Sequence, residues 1–238
     1  MSQLVIVRHG QAAAFSEDSD RLTELGERQS AVLGEYCASR KLEFDEVLVG
    51  GLRRHAQTEA QVAAAYERAG LPWPAARLLP GWNEYDAGAI MQKLGEALRE
   101  RDLGFRKQVE EFQAAAGTPQ QNRFFQRMFE ALMARWIAGD IAVDGVESFE
   151  AFHARVCDAL DAVLGGQGSR RVIVFSSGGP IGVSVQRTLR APKPVALELN
   201  WRVRNTALTE YVFGPGRISL DLFNATPHLA DERLQSFR

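Results

Sequence analysis

The sequence predicts one α/β domain over residues 1–238, with a mostly parallel central sheet flanked by helices on both faces. Short β-branched runs alternate with helical patterns, and glycine-containing turns lie between them. The 238 residues, 45% of them hydrophobic, are enough to bury one large core. No internal stretch has the composition of a linker, which favours one domain over two.

The first half of the chain shows two strand–helix units. Leu4–Val7 is an uninterrupted apolar run, typical of a strand covered on both faces. Thr23 can cap a helix that has acidic residues in its first turn, and we expect this helix to end near Lys41. The second strand is predicted over Val47–Val49, and a glycine pair separates it from a helix over about 52–66.

The C-terminal third supplies the remaining strands. We expect a strand over Arg171–Phe175, a turn over Ser176–Gly179, and a helix opened by Pro180, where the missing N–H costs nothing. Residues 206–213 and 218–223 read as an antiparallel pair around a Gly-Pro-Gly turn. The predicted sheet is therefore mixed but mostly parallel.

Residues 84–147 have no strand pattern. Apolar side chains between Phe124 and Ile137 fall into two rows at four-residue spacing, which indicates a broad helical face. We expect residues 89–144 to form a helical insertion, or lid, within the domain. This face would pack against the domain and, in a lid, would also line a pocket for an apolar part of a ligand.

Composition excludes several classes of protein. The net charge of −2, without a basic block, argues against nucleic-acid binding. No segment has the uncharged apolar run of a signal peptide or a membrane span, so we expect a soluble, unprocessed chain without membrane contact. Cys37 and Cys157 lie in helical apolar patterns, as free thiols do in a reducing cytoplasm. Neither metal-ligand spacing nor a nucleotide-binding motif is present, so we expect no metal and no cofactor. The oligomeric state is not indicated.

The first strand ends in Arg8-His9-Gly10, at the sheet edge where open α/β folds bind ligands. A neutral imidazole can attack phosphorus and form a phosphohistidine, and arginine offers paired donors to phosphate oxygens. The triplet alone is weak evidence of function and fits a surface position or an ordinary strand end better. Its interpretation therefore depends on the rest of the chain.

Several segments, in a fixed order, resemble the motifs of the histidine-phosphatase (phosphoglycerate-mutase-like) superfamily. They are Leu4–Gln11 followed by Leu22–Gln29; Leu52–Thr58, which is similar to Leu-x-Arg-Ala-x-Gln-Thr; Trp82–Asp86; and Gly145–Ser148, which is similar to Gly-Glu-Ser with one extra residue. The resemblance covers both ends and the middle of the chain and leaves about 89–144 without a motif. It implies the phosphoglycerate-mutase-like fold.

The resemblance also implies roles for individual residues. His9 is the implied nucleophile, Arg8 and Arg54 hold the phosphate, Glu84 is the general acid, and Gln11 lines the phosphate site. Two alternatives stay open from the residues alone. Arg54 could be a surface charge beside Arg53, and Asp86 or Glu147 could be the acid instead of Glu84.

One turn departs from the family pattern. The family's Ser-His-Gly-Gly turn reads Ser176-Ser177-Gly178-Gly179 here, so Ser177 stands where the second catalytic histidine is expected. The backbone amides of Gly178 and Gly179 can still point at an anion at the helix N-terminus, and the Ser177 hydroxyl can donate one neutral hydrogen bond. Loss of one such electrostatic donor typically costs on the order of 3 kcal/mol of transition-state stabilisation. Phe15 is a smaller departure, at a position where many members have an asparagine. His228 could fold over the pocket in place of the missing imidazole, but a structural role is favoured.

These residues support two hypotheses. The leading one is a phosphomonoester hydrolase that acts on a phosphorylated small molecule through a phosphohistidine at His9. The alternative is a catalytically weak or inactive phospholigand-binding protein on the same fold. A phosphoglycerate-type mutase is less favoured, because nothing in 89–144 indicates a site for a particular phosphosugar acid. A serine hydrolase is also disfavoured, because Ser177 lacks the Gly-x-Ser-x-Gly context.

Overall fold

The computed structural model describes residues 1–13 and 20–237. The composition of Ala12 to Asp20 predicts an exposed loop, and most of this segment, including Phe15, lies outside this part of the chain. At its start, Ala12 pairs with Leu22 in an isolated antiparallel bridge. The chain divides into two compact units, one made of Met1–Glu84 with Arg155–Arg238 and the other of Tyr85–Ala154.

The described part of the first unit contains a six-stranded mixed sheet. The strands are β1 (Ser2–Arg8), β2 (Glu46–Val49), β3 (Ala76–Leu78), β4 (Arg171–Ser176), β5 (Leu208–Gly214) and β6 (Arg217–Ala225). Their order is β3-β2-β4-β1-β5-β6. The four strands from β3 to β1 pair in parallel, and β5 and β6 are antiparallel. This confirms the predicted mostly parallel sheet.

Helices connect the strands and form the second unit. They are α1 (Glu24–Ser39), α2 (Arg53–Arg68), α3 (Ala87–Ala89), α4 (Gly95–Arg101), α5 (Leu103–Ala114), α6 (Gln121–Ala138), α7 (Phe149–Leu164), α8 (Gly178–Leu189) and α9 (Val195–Asn200). A π-helical turn, Ile90–Leu94, joins α3 to α4, and short 3-10 turns span Pro80–Trp82 and Glu232–Leu234.

Local chemistry explains where these elements begin. The Oγ1 of Thr23 accepts a hydrogen bond from the Gly26 amide at 3.1 Å, so Thr23 is the predicted N-cap of α1. Helix α8 begins at Gly178, so Pro180 is its third residue and does not open it. Strand β5 begins at Leu208 and not at Thr206 as predicted, because Thr206 adopts a left-handed φ of 56° that no strand allows.

Strand β4 is buried along almost its whole length, and β1 buries four of its seven residues. In β4, every residue from Val172 to Phe175 is at most 1% exposed, and Leu4, Ile6 and Val7 of β1 are fully buried. Because neighbouring side chains of a strand point to opposite faces, both faces of the sheet are covered, as the apolar runs predicted. The edge strand β3 is exposed throughout, so it has no apolar run and was not predicted from the sequence.

The second unit, which is described in full, is helical and contains no strand. Helix α6 buries Met128, Leu132, Met133 and Trp136 on one face, at the spacing predicted for this segment. The Trp136 ring packs against Tyr85 at 4.9 Å between centroids, and its indole nitrogen donates to the Glu147 carbonyl at 2.7 Å. The apolar face of α6 is thus packed within its own unit.

Three further features bear on the expectations from composition. Cys37 and Cys157 are free thiols, and burial raises the pKa of Cys37 to about 12. No group of three or more histidine, cysteine, aspartate or glutamate side chains able to hold a metal ion occurs among residues 1–13 and 20–237. Within the same residues, every helix is too short or too polar to cross a membrane.

Candidate active site

The candidate site lies where three neighbouring strands end. Arg8 of β1 is in register with Ser176 of β4, and the His9 amide donates to the Ser176 carbonyl at 2.9 Å. On the other side of β4, the Gly50 amide after β2 donates to the Phe175 carbonyl at 3.0 Å. The ends of β1, β4 and β2 therefore bring together the residues that follow each strand, at the edge where α/β sheets bind ligands.

The His9 imidazole is held in one tautomer. His9 is only 7% exposed, and its Nδ1 lies 2.6 Å from the Gly10 carbonyl oxygen. A carbonyl can only accept, so Nδ1 carries the proton and Nε2 keeps its lone pair. The His9 carbonyl in turn accepts from the Asn205 side-chain amide at 3.1 Å, which fixes the backbone beneath the ring.

His9 is neutral near pH 7. Burial, followed by the charges of Arg54 and Arg8 and then by His55, holds the pKa of His9 well below its usual range. The hydrogen bond to Gly10 acts in the opposite direction but does not outweigh them. An unprotonated Nε2 is what a nucleophile requires.

Arg54 is the second residue of α2, and its side chain is 17% exposed. Its Nη1 donates to Asp20 Oδ1 at 2.8 Å, so one donor of the guanidinium is already bound to a carboxylate of the chain. The first turn of α2 is tied to the His9 loop by Thr58, whose hydroxyl donates to the Arg54 carbonyl at 2.8 Å and accepts from the Gly10 amide at 3.0 Å. Two of the sequence motifs thus share hydrogen bonds.

Arg8 is partly buried, and its Nη1 donates to the Val203 carbonyl. Its charge lowers the pKa of His9, as that of Arg54 does. Gln11 lies next to the same loop, where its side-chain carbonyl accepts from the Thr23 hydroxyl at 2.9 Å. The Gln11 side chain is therefore bonded to the N-cap of α1.

Glu84 lies at the N-terminus of α8. Its Oε2 accepts from the Gly179 amide at 3.0 Å. The loop that carries Glu84 is held by Arg155 of α7, which donates to the carbonyls of Asn83 at 2.7 Å and Glu84 at 3.3 Å. The Glu84 carboxylate thus accepts a hydrogen bond from the Gly179 amide, which the sequence predicted would point at an anion. Asp86, one of the alternative acids, accepts from the Ala89 amide and caps α3.

Ser177 is fully buried at the N-cap of α8. Its Oγ is 2.7 Å from Nε2 of His55, an unpredicted neighbour that is also fully buried. Gly178 contacts Asn200 so closely that a Cβ atom would collide with the Asn200 side chain. Glycine is therefore required at this position.

Sequence reasoning missed several of these residues. His55 had a local signal, because it follows Arg54 at the position where the motif has alanine. Asp20, Asn205 and Arg155 had none, because each acts through a contact distant in sequence. His228 is buried, and its Nε2 lies 2.9 Å from the Thr206 hydroxyl; burial lowers its pKa to about 4.

The buried histidines make stability depend on pH. Burial and Arg54 lower the pKa of His55 to about 3, so the unfolded chain takes up this proton near pH 6.5 and the folded chain does not. Stability is then full above pH 6.5 and falls with acidification, by about 2 kcal/mol for His55 between pH 7 and pH 5. His228 acts in the same direction.

This is measurable by urea unfolding at pH 7, 6 and 5. We expect His55→Gln to show a shallower fall in the free energy of unfolding than the native chain, by about one proton between pH 6 and pH 5. The slope is compared, so a general loss of stability in the variant does not affect the result. Parallel curves would mean that His55 is protonated in the folded protein.

Solved structures share this fold. A mycobacterial glucosyl-3-phosphoglycerate phosphatase with inorganic phosphate aligns with a TM-score of 0.62 at 24% identity, covering 97% of this chain and 100% of that one. A phosphoserine phosphatase from Entamoeba histolytica, in complex with 3-phosphoglyceric acid, aligns at 0.61 and 19%, covering 96% and 100%. A phosphoglycerate mutase from Bacillus anthracis str. Sterne aligns at 0.63 and 18%, covering 96% and 95%. These likenesses define the phosphoglycerate-mutase-like fold.

Sequence comparison gives the family. Residues 4–139 and 96–226 match the family model of the histidine phosphatase superfamily (branch 1). Among curated protein sequences, none matches this chain. The family matches together cover most of the chain, and the chain therefore belongs to the histidine phosphatase superfamily.

Proposed function

We propose that this protein hydrolyses the phosphomonoester of a small molecule through a phosphohistidine at His9. The observation that carries the proposal is the state of that imidazole, which is buried and neutral, with its proton on Nδ1 and its Nε2 lone pair available. The charges of Arg8 and Arg54 act on it directly. Membership of the superfamily supports the same chemistry.

Each step follows from these groups. Nε2 of His9 attacks phosphorus and the bond from phosphorus to the leaving oxygen breaks, while Glu84 transfers a proton to that oxygen. Arg8 and Arg54 hold the phosphoryl oxygens, and the proton on Nδ1 of His9 keeps its hydrogen bond to the Gly10 carbonyl. Water then attacks phosphorus, Glu84 takes its proton, and phosphate leaves His9 in its original state.

In the structure, two carboxylates of the chain bind donors of the site. Asp20 holds Arg54, and Glu84 holds the Gly179 amide. In the proposed mechanism, an incoming phosphate takes over both donors. Glu84, released from the amide, takes up a proton from the incoming phosphomonoester monoanion and is then placed near the leaving oxygen, in the role of the general acid.

A phospholigand-binding protein without turnover is the second candidate. It is favoured by Ser177, which in our interpretation stands in place of the second catalytic histidine and contributes no charge of its own. The substrate class is the same in both cases. Inorganic phosphate and 3-phosphoglyceric acid are bound by the structural relatives named above, and we propose a phosphorylated small molecule as the ligand here.

A labelled phosphodonor separates the two candidates. We expect incubation with a labelled aryl phosphate, followed by alkaline quenching, to leave an acid-labile label that mass spectrometry maps to His9. His9→Gln should take up none, and His153→Gln, which alters a histidine of the second unit, should label as the native protein does. Phosphate binding without any label on the native protein would establish the binding protein instead.

A further inference from the structure

The least expected contact in the site joins two buried side chains. His55 and Ser177 are both fully buried, and Nε2 of His55 lies 2.7 Å from the Ser177 hydroxyl. The two residues are 122 positions apart in sequence. The His55 ring also lies beside that of His9, with 5.8 Å between the ring centroids. A second imidazole is thus present next to the nucleophile, although it comes from α2.

The surrounding backbone is shaped for this ring. A Cβ atom at Gly50 would collide with Nδ1 of His55 and would also approach the Trp82 carbonyl oxygen at 3.1 Å. Only glycine leaves room for the imidazole at this position. The Gly50 amide is itself bonded to Phe175, so the ring is packed against a fixed backbone.

The contact changes what Ser177 does for its own helix. A serine at an N-cap ordinarily accepts a hydrogen bond from the second or third amide of the helix. In α8 the third residue is Pro180, which has no N–H, so Gly179 supplies the one amide suited to such a cap. Within the described residues, Ser177 makes no such bond, and the Gly179 amide donates to Glu84 at 3.0 Å instead.

We propose that His55 is a positioning residue of the phosphate site: by bonding the Ser177 hydroxyl, it keeps the Gly179 amide open to an oxygen anion from outside the helix. In the structure that anion is the Glu84 carboxylate, and in the proposed complex it is a phosphoryl oxygen. The inference rests on the phosphate site proposed above, but it concerns binding and not turnover. Without His55, the Ser177 hydroxyl rotates onto the Gly179 amide and competes with the ligand.

Two substitutions isolate this role. His55→Leu removes the hydrogen bond and keeps an apolar side chain of similar size, whereas His55→Gln keeps a polar group in reach of Ser177. We expect the leucine variant to weaken inorganic phosphate binding by about tenfold or more, the usual effect of losing a hydrogen bond to a charged group. The glutamine variant should stay within about threefold of the native protein.

The decisive comparison repeats His55→Leu in a Ser177→Ala background. Alanine cannot cap the helix, so the loss caused by His55→Leu should shrink to less than about threefold. Inorganic phosphate is titrated by calorimetry into all four proteins, after their folding is verified by circular dichroism. If the leucine variant does not fold, His55→Ala replaces it in both backgrounds.

Each result has a defined meaning. Equal losses in the two backgrounds would show that His55 only supports packing, and no loss in either would also overturn the proposal. A native protein that does not bind phosphate would overturn it together with the proposed function. If His55→Leu weakens phosphate binding only when Ser177 is present, and no phosphoenzyme forms at His9, the hydrolase proposal would be wrong and the positioning role of His55 would stand.

Discussion

Replacing His9 with alanine is expected to lower kcat/KM for a small aryl phosphate by at least about a thousandfold, because the substitution removes the group that forms the covalent bond. The rate that remains comes from binding and orientation alone. Phosphate release from the native protein should persist as the pH falls below 6.5, the ordinary pKa of an imidazole. This follows because burial and the charges of Arg54 and Arg8 lower the pKa of His9.

The measurement is steady-state phosphate release across pH 5 to 8 for both proteins. Calorimetry with inorganic phosphate is the control, and we expect the alanine variant to keep an affinity within about tenfold of the native one, since Arg8 and Arg54 remain. Equal rates in the two proteins would remove His9 from the mechanism. A native rate that collapses below pH 6.5 would show that His9 titrates at its ordinary pKa.

Arg54→Met is expected to lower kcat/KM by about a hundredfold to a thousandfold, as loss of one preorganised donor to a transferring phosphoryl group does. Its guanidinium supplies paired donors that a thioether cannot replace. The fold should survive, because the ion pair with Asp20 is partly exposed and such pairs contribute less than about 1 kcal/mol.

Arg53→Met is the matched control. Arg53 is the neighbouring residue of the same helix turn and is exposed, so the same change of side chain there should alter kcat/KM by less than about threefold. Arg54→Lys keeps the charge without the paired donors, so its kcat/KM should lie between the values for Arg54→Met and Arg53→Met. Similar losses for both methionine variants would mean that overall charge matters, and not a clamp at Arg54.

Local patterns predicted the parts of the fold that local chemistry determines. The buried strands β1 and β4, the N-cap at Thr23 and the apolar face of α6 could all be read from residue types at fixed spacing. Strand β3 could not, because its three residues are exposed and form no buried apolar run. Thr206 was predicted to belong to a strand, but its backbone is left-handed. Its amide donates hydrogen bonds to the carbonyls of Arg8 and His9, which are distant in sequence, so no local pattern reveals this conformation.

The candidate site shows the same division. The motifs placed His9, Arg54 and Glu84 in segments that the fold does bring to one sheet edge. The partners that modify them come from elsewhere in the chain, as Asp20 does for Arg54 and His55 does for Ser177. A motif specifies which functional groups are present. Which other side chains of the protein bind those groups depends on the folded structure.

The carboxylates of Asp20 and Glu84 already bind donors of the proposed phosphate site, so a phosphate that binds there exchanges with them. In the proposed mechanism, the oxygens of the ligand displace Asp20 from Arg54 and Glu84 from the Gly179 amide. A terminal phosphate carries up to two negative charges and can replace both carboxylates, whereas a phosphodiester carries only one. In the proposed mechanism the site therefore discriminates by charge, and it favours the ends of phosphorylated molecules over their internal linkages.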